Sequence, residues 1–86
     1  MWVMIYCDGY RTERIETDVL PLVGEVVRQH AETIYNSDIE IDHRNQDKER
    51  RCGKMVGVVT SRAFSFTDIT FVTLYLEGKT SFPKYF

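Results

Sequence analysis

The sequence has little of several residue types and patterns on which common protein classes depend. Its 86 residues include two cysteines, two prolines and five glycines, too few for a disulfide-stapled scaffold, a collagen-like repeat or a proline-rich linker. No apolar run approaches the roughly 20 residues that a bilayer-spanning helix needs, so we expect no membrane partner. The N-terminus lacks the basic start, the longer apolar region and the cleavage site of a secretory signal. These absences predict a cytoplasmic protein with two free thiols.

An excess of one charge sign is also absent. The chain carries 11 Lys and Arg residues against 13 Asp and Glu residues, a formal net charge of −2, which argues against unspecific binding to polyanions. The charges are unevenly placed, because residues 42–54 contain five basic and three acidic residues whereas the remainder contains six and ten. The sequence therefore predicts a local basic patch on an acidic protein.

A chain of this length can build one small hydrophobic core. No internal repeat, low-complexity tract or linker divides it, so we expect a single domain over residues 1–86. Because so small a core gives little surplus stability, binding to a partner or to a second copy would stabilise the protein.

The first half of the chain begins with a hairpin signal. Residues 2–7 form a continuous run of strand-forming residues, and the Asp8-Gly9 pair that follows is the strongest short turn signal in the sequence. We expect a first strand over residues 2–7 and a return strand over residues 10–17. With a two-residue turn, Cys7 lies opposite Tyr10.

Residues 18–36 change to a helical period. A single stripe at three- and four-residue steps contains Val19, Leu22, Val23, Val26, Val27, His30 and Ile34. Asp18 is a suitable N-cap and Asn36 a suitable stop. This pattern predicts an amphipathic helix over residues 18–36.

The second half alternates apolar and polar residues over 38–43, and residues 55–60 and 69–77 also have the pattern of strands. Residues 62–66 either extend the strand before them or belong to the connection. The order ββαβββ predicts an α+β fold in which an antiparallel sheet of four to five strands carries one amphipathic helix on one face. The opposite face stays uncovered, and aromatic side chains displayed there would mark a binding surface.

The candidate metal ligands do not form a convincing site. Asp38, Glu40 and Asp42 project from one face of the strand expected at residues 38–43, but a flat row of carboxylates does not converge on a cation. His30 lies on the apolar stripe, without cysteine or histidine neighbours at ligand spacing. We therefore expect neither a metal nor a cofactor.

Two alternatives to a protein-binding role depend on the charged loop. A nucleic-acid-binding module would use the basic residues of the 44–54 loop against phosphates, although Asp47 and Glu49 weaken that case. A small thiol enzyme would pair Cys52 with His43, but the sequence shows no glycine-rich oxyanion turn. Neither alternative explains the sequence as well as a role in binding another protein does.

We interpret the chain as a small non-enzymatic regulatory protein that acts by protein–protein interaction, for example a virus-encoded inhibitor of a host factor. We expect its partner to be another protein, and we expect the chain to form a homodimer. The predicted partner-binding residues lie in the charged loop and in the C-terminal aromatic cluster: Arg44, Lys48, Arg50, Arg51, Lys54, Phe82, Tyr85 and Phe86.

Overall fold

In a computed structural model, the structure describes residues 1–37, 51–67 and 69–83, and all regular structure in these ranges is β-strand. The strands are β1 (Trp2–Cys7), β2 (Tyr10–Thr12), β3 (Ile15–Glu16), β4 (Val26–Asn36), β5 (Arg51–Phe66) and β6 (Thr70–Ser81). They form one mixed sheet.

The sheet closes on itself. Its strand order is β2-β4-β5-β6-β1-β3, and an additional pairing between β1 and β2 completes a ring. The short strands β2 and β3 are two parts of one bent segment, because Tyr10 pairs with Cys7 at one end of β1 and Ile15 pairs with Val3 at the other. The ring has five segments: β1, the β2–β3 segment, β4, β5 and β6. Each segment runs antiparallel to the one before it, so the first and the fifth run in the same direction. The pairing of β1 with β6 is accordingly parallel.

Alternate residues of each strand point into the ring and form the core. The buried cluster contains Val3, Ile5, Cys7, Val27, Ile34, Met55, Val59, Val72, Leu74 and Leu76. The register places Val3, Ile5 and Cys7 directly beside Val72, Leu74 and Leu76. The β1–β6 pair therefore supplies more than half of the core, and the other strands close over it.

The hairpin expected at Asp8-Gly9 is confirmed. Asp8 and Gly9 have φ values of 56° and 78°, as a type I′ turn requires at both central positions. The turn is also tied to β6, since the backbone N–H of Thr80 donates to Oδ2 of Asp8 at 3.2 Å and the Thr80 hydroxyl donates to the Cys7 carbonyl at 2.9 Å. This turn therefore fixes the register of β1 against both of its neighbours.

The prediction of a helix over residues 18–36 is wrong, and so are the predictions of an α+β fold and of the order ββαβββ. Residues 26–36 form β4, and Gly24 has a φ of 96° that no helix tolerates. Valine and other β-branched residues pack well in strands and lose side-chain freedom in helices. A register shift between Ala31 and Ile34 breaks the strand alternation, so that Val27 and Ile34 both face inward at a spacing that resembles a helical stripe.

The other expected strands have mixed outcomes. The bounds of β1 match residues 2–7, and β5 contains residues 62–66 as an extension of the strand before them. β6 continues past the expected end at Glu77 to Ser81. The sheet is mixed rather than antiparallel, and it has six strands in the described ranges. The strand expected at residues 38–43 lies outside the described residues.

We predict that Gly78→Ala destabilises the fold by about 3 kcal/mol, within the range for overpacking. Gly78 lies opposite Gly57 in the β5–β6 pair, and a Cβ at position 78 would meet the carbonyl oxygen of Val56 and lie 2.5 Å from Cα of Gly57. Urea denaturation measures the loss. Gly9→Ala is the matched control, because no atom lies within 4 Å of its added Cβ and only the positive φ costs free energy, about 1 kcal/mol. Equal losses for the two variants would contradict the close approach.

Candidate binding surface

The outer face of the β1–β6 pair is aromatic. Because alternate residues of these strands point outward, the face contains Trp2, Met4 and Tyr6 of β1 and Phe71, Thr73 and Tyr75 of β6. Trp2 lies beside Phe71, and Tyr6 lies beside Tyr75. We call the five large residues, Trp2, Met4, Tyr6, Phe71 and Tyr75, the aromatic face.

The rings of the aromatic face are partly exposed, and two of them already pack against each other. Trp2 and Tyr75 are each 40% exposed, whereas Tyr6 and Phe71 are half-buried. The ring centroids of Tyr6 and Tyr75 are 5.4 Å apart, with an interplanar angle of 31°. Rings held in this way lose little side-chain entropy when another molecule covers them.

Two arginines border the aromatic face. Arg11 pairs with Tyr6 in the strand register and places its guanidinium 5.0 Å from the centroid of the Tyr35 ring. Arg14 lies 5.0 Å from the centroid of the Phe71 ring. A guanidinium stacked on a ring directs its N–H donors sideways, where they can meet carboxylates or carbonyls.

Carboxylates accompany these arginines. Glu13 lies between them in the chain, and its Oε1 accepts a 2.7 Å hydrogen bond from the hydroxyl of the buried Tyr35. Glu16 pairs with Trp2 across the β1–β3 ladder. The border of the aromatic face therefore mixes both signs of charge.

The structure places three of the residues predicted from the sequence to bind a partner. Phe82 packs against the core and makes an edge-on contact with Tyr10 at 5.0 Å between ring centroids. The Arg51 guanidinium stacks on the same ring, 4.4 Å from the Phe82 centroid. Lys54 is exposed on β5, opposite His30. Arg51 and Phe82 thus contact each other, away from the aromatic face, and Phe82 stabilises the fold.

The remaining predicted residues lie outside the described ranges. These are Arg44, Lys48, Arg50, Tyr85 and Phe86, together with the carboxylates Asp38, Glu40 and Asp42 and with His43. Among the residues that the structure describes, no three His, Cys, Asp or Glu side chains are grouped as a metal site would require.

The two thiols differ in their surroundings. Cys7 is 2% exposed in the core, and burial raises the pKa of its thiol; the hydrogen bond with Thr80 opposes this rise and the negative charge of Asp8 adds to it. Cys52 is exposed and lines a shallow cavity of about 260 Å³ with His30 and Lys54. This volume is below the roughly 300–1,000 Å³ of typical ligand pockets.

Sequence reasoning did not assign the aromatic face to a site, although its signal was present. Trp2, Met4 and Tyr6 alternate in the first strand, and Phe71 and Tyr75 alternate in the last. Only the parallel β1–β6 pairing brings the two sets together, and that pairing joins residues about seventy positions apart. An uncovered aromatic face was expected, but the hairpin pattern could not say which strands would form it.

Comparison with protein-family models, with curated proteins and with solved structures finds no match for this chain. Within the described ranges, the structure has no helix with the length and hydropathy that crossing a bilayer demands.

We predict that the stability of the protein falls as the pH rises above about 8.5, the ordinary pKa of a cysteine thiol. The pKa of Cys7 is raised in the folded state, so the unfolded chain loses this proton first and is favoured at alkaline pH. The contribution of the Cys7 thiol to the free energy of unfolding is complete below the pKa of the unfolded state, and it is lost as the pH rises through the pKa of the folded state. The free energy of unfolding in urea, measured at pH 7.5 and at pH 9.5, tests this.

Cys7→Ala should flatten the pH dependence of the unfolding free energy, and Cys52→Ser should leave it unchanged. An equal slope in the Cys7→Ala variant would contradict the assignment to this buried thiol. Thiol labelling of the folded protein at neutral pH should modify Cys52 much faster than Cys7, because only Cys52 is exposed.

Proposed function

We propose that this chain is a non-enzymatic binding protein that acts by protein–protein interaction through the aromatic face. The observation that carries the proposal is the partly exposed cluster of Trp2, Tyr6, Phe71 and Tyr75 on one side of the sheet, in which the Tyr6 and Tyr75 rings are in contact.

The composition of the aromatic face favours a protein partner. Tryptophan, tyrosine, methionine and arginine are the residues enriched at the centres of protein interfaces. Trp2, Met4 and Tyr75 provide apolar area, and Arg11 and Arg14 provide directional donors at the border. A partner with an apolar centre and carboxylates at its rim fits this arrangement.

The charge at the border argues against nucleic acid as the partner. Aromatic rings can stack on bases, but affinity for a nucleic acid depends on many phosphate contacts from Lys and Arg. Here Glu13 and Glu16 lie beside Arg11 and Arg14, so the border offers little excess positive charge. The nucleic-acid alternative therefore receives less support than a protein partner.

The aromatic face can be tested by photo-crosslinking in cells that express the protein. A p-benzoylphenylalanine in place of Tyr75 should form a covalent adduct with one partner protein, identified by mass spectrometry. Trp2→Ala should lower the adduct yield by about thirtyfold, since truncating an interface hot spot costs about 2 kcal/mol. The same probe in place of Val23, which is 58% exposed but outside the aromatic face, should give no Trp2-dependent adduct.

Two results would contradict a protein-binding role. An adduct yield that Trp2→Ala leaves unchanged would show that the aromatic face is not the interface. Tight binding to a single-stranded oligonucleotide, with an affinity that falls steeply between 50 and 200 mM salt, would assign the surface to nucleic acid. Cys52→Ser should leave partner binding unchanged, and a loss of function in that variant would support the thiol-enzyme alternative.

A further inference from the structure

Strand β5 is longer than the neighbour on one of its sides. From Lys54 to Val58 it pairs with both β4 and β6. The backbone of Val59 then exchanges hydrogen bonds with Gly24 and Glu25, at 2.8 and 2.9 Å. From Ser61 to Phe66, among the residues that the structure describes, β5 pairs with β6 alone. We call this six-residue stretch the free edge.

The free edge has few of the features that usually protect an edge strand. Proteins discourage pairing at such edges with proline, with charged residues or with a bulge. Residues 61–66 contain no proline, and their only charge is Arg62. The register shift in this part of β5 lies between Val59 and Ser61, before the free edge begins. As far as the described residues extend, the backbone is therefore open to another strand.

The side chains along the free edge alternate by size. Ser61, Ala63 and Ser65 are small and point to the same side as the aromatic face, since they pair with Tyr75, Thr73 and Phe71. On the opposite side, Phe64 is 52% exposed and Phe66 is 79% exposed. Large apolar rings beside an unpaired strand are the side chains that a docked strand would cover.

We propose that the free edge binds a second copy of this chain, with the two β5 strands antiparallel about a two-fold axis at Phe64. In an antiparallel pair, residues that lie opposite each other point to the same face of the sheet. Large side chains therefore meet large side chains only if the axis lies midway between the two copies of one residue. With the axis at Phe64, the two Phe64 rings meet, and Arg62 of each copy lies opposite Phe66 of the other.

In this register each Arg62 faces an aromatic ring of the other copy and not a second positive charge. Arg62 already lies over the Phe64 ring of its own chain, at 5.8 Å from the centroid, and the dimer places a second ring, that of Phe66, within its reach. An axis at Arg62 would instead oppose two guanidinium groups, and an axis at Ala63 would leave Phe66 opposite Thr60. The axis at Phe64 covers both exposed rings without opposing like charges.

The dimer would join two aromatic faces. A two-fold axis of this kind runs perpendicular to the sheet, so β3, β1, β6 and β5 of one copy continue into the same four strands of the other. The outward residues at the junction are Ser61, Ala63 and Ser65, which add no bulk between the two aromatic faces. The assembly would then present one wide, bivalent surface to a partner.

Disulfide crosslinking tests the register in a Cys52→Ser background, with oxidised glutathione as the oxidant. Phe64→Cys should form a covalent dimer, because the Cα atoms of facing residues are about 4.5–5.5 Å apart, a separation that a disulfide spans. Phe66→Cys is the matched control and should stay uncrosslinked, whereas Arg62→Cys combined with Phe66→Cys should crosslink. Crosslinking of Phe66→Cys alone, or none of Phe64→Cys, would overturn the proposal.

Sedimentation equilibrium tests the association without a covalent bond. The native chain should sediment at twice its mass of 10.1 kDa. Phe64→Lys should raise the dissociation constant at least tenfold, because two ammonium groups would face each other on the axis, and Val23→Lys should leave it unchanged. A native chain that stays monomeric at 100 µM, or a dimer insensitive to Phe64→Lys, would overturn the proposal. Trp2→Ala should preserve the dimer, so this test is independent of the proposed function.

Discussion

The parallel pairing of β1 with β6 is the interaction on which the rest of the structure depends. It joins the two ends of the chain, closes the ring of strands and places Val3, Ile5 and Cys7 against Val72, Leu74 and Leu76. Its other side is the aromatic face. One set of backbone hydrogen bonds therefore builds both the core and the candidate binding surface, and a change that separates the two strands would remove both together.

Part of this fold follows from local sequence signals. The Asp8-Gly9 turn and the bounds of β1 could be predicted because a type I′ turn needs two residues with positive φ and because the flanking residues favour strands. The β4 strand could not, since the irregularity between Ala31 and Ile34 places inward residues at an uneven spacing. Without knowledge of this irregularity, the spacing of the apolar residues resembles the period of a helix. The pairing with the neighbouring strands is what distinguishes the two structures.

The predicted partner-binding residues of the charged loop and the C-terminus stay a prediction, and the aromatic face is a different surface from theirs. Residue spacing directs that prediction to arginines and aromatic residues that are neighbours in sequence, such as those of the charged loop. In the structure, Arg51 and Phe82 stack on each other, and Phe82 packs against the core. Arg14 and Phe71 form a similar pair far apart in sequence. Contacts of that kind depend on strand order, which residue spacing within one segment does not encode.

Among the residues that the structure describes, closure leaves one part of the sheet incomplete, and that part has little of the chemistry of a protected edge. Most strands pair with a neighbour on each side, but β5 extends beyond the end of β4. The backbone of Val59 bonds to Gly24 and Glu25, and Gly24 has a positive φ at which the chain before β4 changes direction. Lysine and proline commonly protect edge strands, and residues 61–66 contain neither. Instead the residues on the side of the aromatic face are small, and the opposite side includes the two exposed phenylalanines Phe64 and Phe66. An edge open in its backbone and apolar on one side is suited to continuing the sheet into another molecule.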